Sequence, residues 1–157
     1  MRDAERADRS MSGRYCRSAD ERMSGHVSNL RQMQEQWQIG DEPGPIQAST
    51  VVELIERRVS QGTMMTWLES SLGRTIAFVS NGSRAMVMLL EHNDGDPGEH
   101  AIDPEGIGSS DGFVLENGQL DEYPDRDTVP MCEALRIVTH LVAEGVPPGD
   151  ASWQVDR

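Results

Sequence analysis

Residues 75–91 read TIAFVSNGSRAMVMLLE. Two apolar runs, TIAFVS (75–80) and RAMVMLLE (84–91), flank Asn81-Gly82. Residues such as Ile, Val and Phe suit a pleated, half-buried surface. An Asn-Gly pair suits a two-residue type I′ turn, in which both central residues need positive φ. The stretch therefore reads as a β-hairpin. A second Asn-Gly, at 117–118, separates GFVLE (112–116) from QLDEY (119–123) and reads the same way. Two hairpins in one small domain predict a mainly antiparallel sheet. MMTWL (64–68) reads as a short strand or packed connection, HAID (100–103) as an edge strand and ASWQV (151–155) as the last strand.

Two amphipathic helices bracket the hairpins. Over residues 50–61, Val51, Leu54, Ile55 and Val59 form an apolar stripe, Thr50 and Glu53 match a capping box, and Gly62 marks the stop. Over residues 130–144, Met131, Leu135, Val138, Leu141 and Val142 face one way. Thr128 or Asp127 reads as the cap, with Pro130 in the first turn and Gly145 and Pro147-Pro148 as the end. The expected fold is α+β, a mainly antiparallel sheet with two principal helices packed on one face.

The front of the chain reads differently. Residues 1–28 are polar and contain a near-repeat, ADRSMSG (7–13) and ADERMSG (19–25), which predicts disorder or a loose helix. Leu30, Met33 and Trp37 follow helical spacing and predict a short amphipathic helix over 27–38. Asp41-Glu-Pro-Gly-Pro45 then reads as a linker. The expected organisation is a polar arm and linker over 1–46 and a single domain over 47–157.

Charge narrows the partners. The 157 residues carry a formal net charge of −13, and every basic side chain apart from histidine is Arg. Nearly all the excess acid lies beyond residue 40. Phosphate contacts need Lys and Arg, so a general nucleic-acid binder is disfavoured. A membrane surface is disfavoured for the same reason, and a basic protein is favoured. No stretch approaches the roughly 20 apolar residues of a membrane span, and the N-terminus lacks the apolar run of a signal peptide. A cytoplasmic location is expected. Cys16 and Cys132, far apart in sequence, argue against a disulfide scaffold and against a CxxC site.

The stretch EHNDGDPGEHAIDPEGIGSSDG (91–112) is acidic throughout. Counted from Asp94, Asp96 and Glu105 match EF-hand positions 3 and 12, but Gly98 and Glu99 spoil positions 5 and 6. His92 and His100 bracket the loop without a second pair of ligands at zinc-site spacing. Ser109, Ser110 and Asp111 form no G-x-S-x-G elbow, and no phosphate-cradling G-x-x-x-x-G-K occurs. Cys132 and His140 share a helix side and read as structural. Trp67 and Trp153 read as core residues that become interface anchors if exposed. No metal, cofactor or catalysis is expected, and the loop reads as solvated or facing a partner. Candidate partner-binding residues are Asp94, Asp96, Glu99, Asp103, Glu105, Asp121, Glu122 and Trp153.

From about residue 47 onward the chain resembles the immunity proteins of bacterial polymorphic toxin systems, specifically the Imm-type family encoded beside deaminase toxins. The resembling segments are TVVELIERRV (50–59), TIAFVSNGSRAMVMLL (75–90), DGFVLENGQLDEYP (111–124), VPMCEALRIVTHLVAEG (129–145) and PPGDASWQV (147–155). The family usually opens with a strand, where this chain has its acidic linker. The resemblance implies a non-enzymatic inhibitor that blocks the active-site cleft of a cognate toxin. The alternative is an acidic binding or regulatory module for another protein.

Overall fold

The computed structural model describes residues 34–91 and 95–157. In chain order the elements are β1 (Trp37–Gln38), α1 (Val51–Ser60), β2 (Met65–Ser70), β3 (Thr75–Ser80), β4 (Arg84–Leu90) and β5 (Glu99–Ala101). They continue with β6 (Ser109–Val114), β7 (Leu120–Pro124), a 3-10 turn over Asp125–Asp127, β8 (Val129–Pro130), α2 (Met131–Glu144) and β9 (Trp153–Val155). The main sheet runs β1-β2-β3-β4-β5-β9, with β8 also pairing β4, and every pairing is antiparallel. The two helices share one face of it, as the expected α+β architecture requires.

Register shows why that face is chosen. Leu68 lies opposite Ile76, Ile76 opposite Leu89, and Phe78 opposite Val87. Side chains directly opposite share a face, so these apolar residues form one continuous surface. Val51 and Ile55 of α1, with Leu135, Val138 and Leu141 of α2, complete the same core cluster. The inward positions of α2 recur at three- and four-residue intervals, giving it one apolar stripe. Its end is set by Gly145, left-handed at φ 74°, whose N–H donates to Leu141 O at 2.8 Å. Any Cβ there would come within 3.0 Å of Arg74 and 3.1 Å of Glu35.

The other face is apolar too. Ala77 and Val79 of β3 are buried there, beside Trp67, Met65, Met86 and Met88 on the neighbouring strands. β6 lies against β3, and Phe113 of β6 is fully buried.

Several expectations are corrected. The helix over 27–38 is a strand at its described end: Trp37 pairs with Ser70 and is 1% exposed, while 27–33 lie outside the described residues. Apolar spacing over so short a window does not separate helix from strand. Ile39 and Ile46 join Trp37 in the core, so the folded unit begins before residue 47. Among the described residues β1 is the first element, and Ile46 behind it is buried rather than part of a loose linker. Thr50 makes no side-chain cap on α1; its hydroxyl donates to Gln47 O at 3.2 Å instead. Pro130 precedes α2 and extends with Val129 into β8, and neither Asp127 nor Thr128 caps the helix. HAID forms no edge strand, because β5 has β4 on one side and β9 on the other.

The hairpin turns also differ from expectation. Asn81 N donates to Arg84 O and Asn81 Oδ1 accepts from Arg84 N, leaving Gly82 and Ser83 as the two turn residues. Gly82 has φ 91°, and Gly in the first central place suits a II′-type turn. The second hairpin does not join the main sheet: β6 and β7 form a separate two-stranded sheet. Its loop has Gly118 at φ 83° with Gly118 N donating to Leu115 O, a longer connection than two residues.

Candidate functional site

The candidate partner-binding residues fall into two groups. Asp96, Glu99 and Asp103 are spoken for within the fold. Asp96 has a side chain only 6% exposed; it accepts from Glu91 N at 2.8 Å and Gly98 N at 2.9 Å, and pairs with Arg157 at 3.1 Å. Glu99 meets the same Arg157 at 2.9 Å. Asp103 accepts from Arg84 Nη2 at 2.8 Å and from Glu105 N at 3.1 Å. The Arg84 hydrogen bond holds its carboxyl below the ordinary value, against the opposing effect of burial. Asp94 lies outside the described residues.

The second group is open. Glu105 and Glu122 are exposed and Asp121 is half-buried. Asp121 accepts from Tyr123 Oη at 2.9 Å and from Gln119 Nε2 at 2.7 Å, and Glu122 accepts from the Ser109 hydroxyl. Burial, then the Asp121 carboxylate, pushes the Tyr123 phenol up to about 12. Trp153 is half-buried against the core, and its indole N–H is buried with no partner among the described residues.

The β6–β7 hairpin gathers further exposed groups that sequence reasoning missed. Asp111 and Glu116 are exposed on it. Ile107, in the loop leading to β6, is 89% exposed, and Leu120 on β7 is 71% exposed. The signal for Leu120 was its register: it lies opposite Val114, on the side away from Phe113 and Tyr123. The Ser110 hydroxyl donates to Asp125, so the Ser109-Ser110-Asp111 run ties the hairpin to neighbouring carboxylates.

His100 is 7% exposed, with Nδ1 2.5 Å from Asp156 and Nε2 3.2 Å from Asp127. Both ring nitrogens thus face carboxylates, Nδ1 tying β5 to the C-terminal end and Nε2 to the 3-10 turn at Asp127. His92 lies outside the described residues. Among the described residues no group of three or more His, Cys, Asp or Glu is placed to hold a metal. His140 Nδ1 lies 2.8 Å from Val146 O. Cys132 is exposed on α2 and disulfide-bonded, whereas the cysteine spacing argues against a disulfide scaffold. The other cysteine of the chain, Cys16, lies outside the described residues.

A groove of about 830 Å³ lies between the β2 side of the main sheet and the tip of the β6–β7 hairpin. Met65 and Trp67 line it, with Leu115 and Glu116 across from them. Its one lining cation among the described residues, Arg58, is held by Asp41 at 2.8 and 2.9 Å and donates to Thr66 at 3.0 Å. No helix of the described residues is long and apolar enough to cross a membrane. No family model, curated protein or solved structure matches the chain.

Proposed function

We propose that this protein acts by binding, as an immunity-type inhibitor that occupies the basic active-site cleft of a cognate toxin in the cytoplasm and performs no reaction itself. The toxin class, a deaminase acting on nucleic acid, is the one the sequence resemblance implies. The observation that carries the reading is the β6–β7 hairpin. It forms a sheet of its own, packed on β3 through Phe113, and presents Asp111, Glu116 and Glu122 together with the exposed Leu120, with Glu105 and Ile107 in the segment that leads into it.

Mixed charge and exposed apolar groups on one element suit a protein interface, where apolar contacts supply affinity and charges supply steering. A toxin that handles nucleic acid needs Lys and Arg to meet phosphates. A partner of net charge −13 is drawn to such a cleft. A standard interface buries about 1,600 Å² in total, so neighbouring surface must join the hairpin in contact. A second reading, an acidic binding module for another protein, is favoured by the groove beside β2, which has Met65 and Trp67 of the main sheet in its lining and shares Glu116 with the hairpin.

Co-expression with the toxin encoded beside this gene tests the reading. Survival is the expected outcome, and continued cell death overturns it. The double variant E116K/E122K is expected to slow association about tenfold at low salt and to reduce its salt dependence. Unchanged kinetics with intact neutralisation moves the interface off the hairpin.

A further inference from the structure

The two sides of β2 are unequally paired. Ser70 N donates to Arg74 O at 2.8 Å and Ser80 N donates to Met64 O at 2.8 Å. Antiparallel ladders alternate, so Met64, Thr66, Leu68 and Ser70 turn their peptide groups toward β3. Met65, Trp67 and Glu69 turn theirs the other way. On that side β1 reaches only Glu69 and Ser70, and the chain leaves the sheet in a turn that begins at Gly40. Among the described residues, the N–H and C=O of Met65 and Trp67 therefore face the groove rather than a neighbouring strand.

An open edge of this kind is a template for another strand, and folded proteins usually blunt it with Lys, Pro, a bulge or a covering segment. Residues 65–67 are Met, Thr and Trp, and their pairing with β3 is regular. The side chains beside the edge are equally suggestive. Met65 and Trp67 are half-buried and offer an adaptable apolar floor. Glu69 and Glu116 are exposed on the rim and make no ion pair among the described residues, whereas Arg58 is already neutralised by Asp41. Among the described residues, the groove therefore carries uncompensated negative charge beside unpaired main-chain donors and acceptors.

We propose that the β2 edge at Met65 to Trp67 takes an extended, basic segment of a partner protein as an added strand. An aliphatic side chain of that segment lies over Trp67 and Met65, and flanking Arg or Lys side chains meet Glu69 and Glu116. In such strand addition the main chain supplies affinity and the side-chain pockets supply selectivity. The inference rests on the reading of this protein as a binder of basic proteins, and it names a second point of attachment, the main-chain edge of β2, which shares Glu116 with the hairpin.

Amide hydrogen exchange on the full chain tests it, with a capped peptide of alternating Arg and Val as the probe. Saturable slowing at the Met65 and Trp67 amides is expected, about tenfold or more at millimolar peptide. The same peptide N-methylated at alternate amides is expected to bind at least about tenfold more weakly, and an alternating Glu and Val peptide weaker still. M65P removes an outward N–H without removing a bond to β3, so it is expected to abolish the protection with little change in Tm. E69K/E116K keeps the backbone intact and is expected to weaken binding about tenfold, which covers the case in which M65P fails to fold. Absence of slowing at Met65 and Trp67, equal binding of the N-methylated peptide, or protection of those amides already in the free protein would each overturn the proposal. Protection that appears with protein concentration and no peptide would assign the edge to a second copy and overturn it too. Slowing confined to β6 and β7 would remove the edge while leaving the binding reading in place; failure of neutralisation in co-expression would do the reverse.

Discussion

The chain contains two hairpins built around the same Asn-Gly pair, and they end in different places. β3–β4 occupies the middle of the main sheet, with all of β3 buried. β6–β7 stands as a separate sheet, with Phe113 as its one fully buried side chain. Turn chemistry makes a hairpin in both cases. Flanking composition decides what the hairpin then does. TIAFVS and RAMVMLL offer apolar side chains on both faces, so burial on both sides is favourable. SSDGFV and LDEYP offer one aromatic pair, Phe113 and Tyr123, whose ring centroids lie 4.9 Å apart, and leave Asp111 and Glu122 in solvent. The first hairpin is scaffold, and the second is surface.

The largest expected contrast comes from the two buried phenylalanines. Phe78→Ala removes a ring from the centre of the main sheet and is expected to destabilise the fold by about 3–5 kcal/mol, read as a lower denaturant midpoint at constant m. Phe113→Ala removes an equally buried ring, and about half that loss is expected, with exchange protection lost only over 109–124. Equal global destabilisation would break the division into scaffold and surface.

Arg84 joins the first hairpin to the segments that flank the second and gives the next effect. Its Nη2 donates to Asp103 Oδ2 and Asp125 O at 2.8 Å and to Thr128 O at 2.9 Å, and its Nε donates to Thr128 Oγ1 at 2.8 Å. Arg84→Met is expected to lower stability by about 2–3 kcal/mol at neutral pH. Because Arg84 depresses the folded-state pKa of Asp103, that part of the stability is present above the unfolded value of about 3.9 and is lost as pH falls through the folded value. The gap between wild type and variant should narrow in acid. Urea titrations at neutral and acid pH check both the size and the sign.

Tyr123 gives a smaller, alkaline effect. Its pKa is raised, so its contribution is complete below the ordinary 10.0 and is lost as pH rises through about 12. An ultraviolet titration of the phenolates should show a late step near 12 that Tyr123→Phe removes. At neutral pH the variant should lose no more than about 1 kcal/mol, the worth of the hydrogen bond to Asp121. The smallest folding effect is expected from E116K/E122K, within about 0.5 kcal/mol by denaturant titration, since both side chains are exposed. A large loss would give those acids a structural role and withdraw them from the interface.

Much of the scaffold was legible because local pattern and tertiary burial agree there. The alternating and continuous apolar runs of β2, β3 and β4, the stripe of α2 and its Gly145 stop all say the same thing at both levels. Trp37 was misread because two strand residues carry no periodicity. Pro130 was placed inside α2 because a proline suits both the first helical turn and an extended lead-in. The separate status of β6–β7 was not legible, since an Asn-Gly turn specifies pairing between its own arms and says nothing about the next strand. The acids divide for a similar reason. Asp103 and Asp96 are held by Arg84 and Arg157, 19 and 61 residues away, and such pairings leave no mark in linear spacing. Local composition identified the acidic region; only folding separates the acids that hold the loop from those that remain available.

The two Asn-Gly turns also set how the protein ages. An asparagine before glycine is prone to cyclise through the next peptide nitrogen and lose its amide, leaving a carboxylate. Asn81 is restrained by three side-chain hydrogen bonds, from Ser83 N and Arg84 N and to Asp111 O, while Asn117 has one, from Gln119 N, in an exposed loop. In storage, deamidation should therefore begin at 117, beside Glu116, and peptide mapping would find the new negative charge at the surface hairpin before the central turn changes.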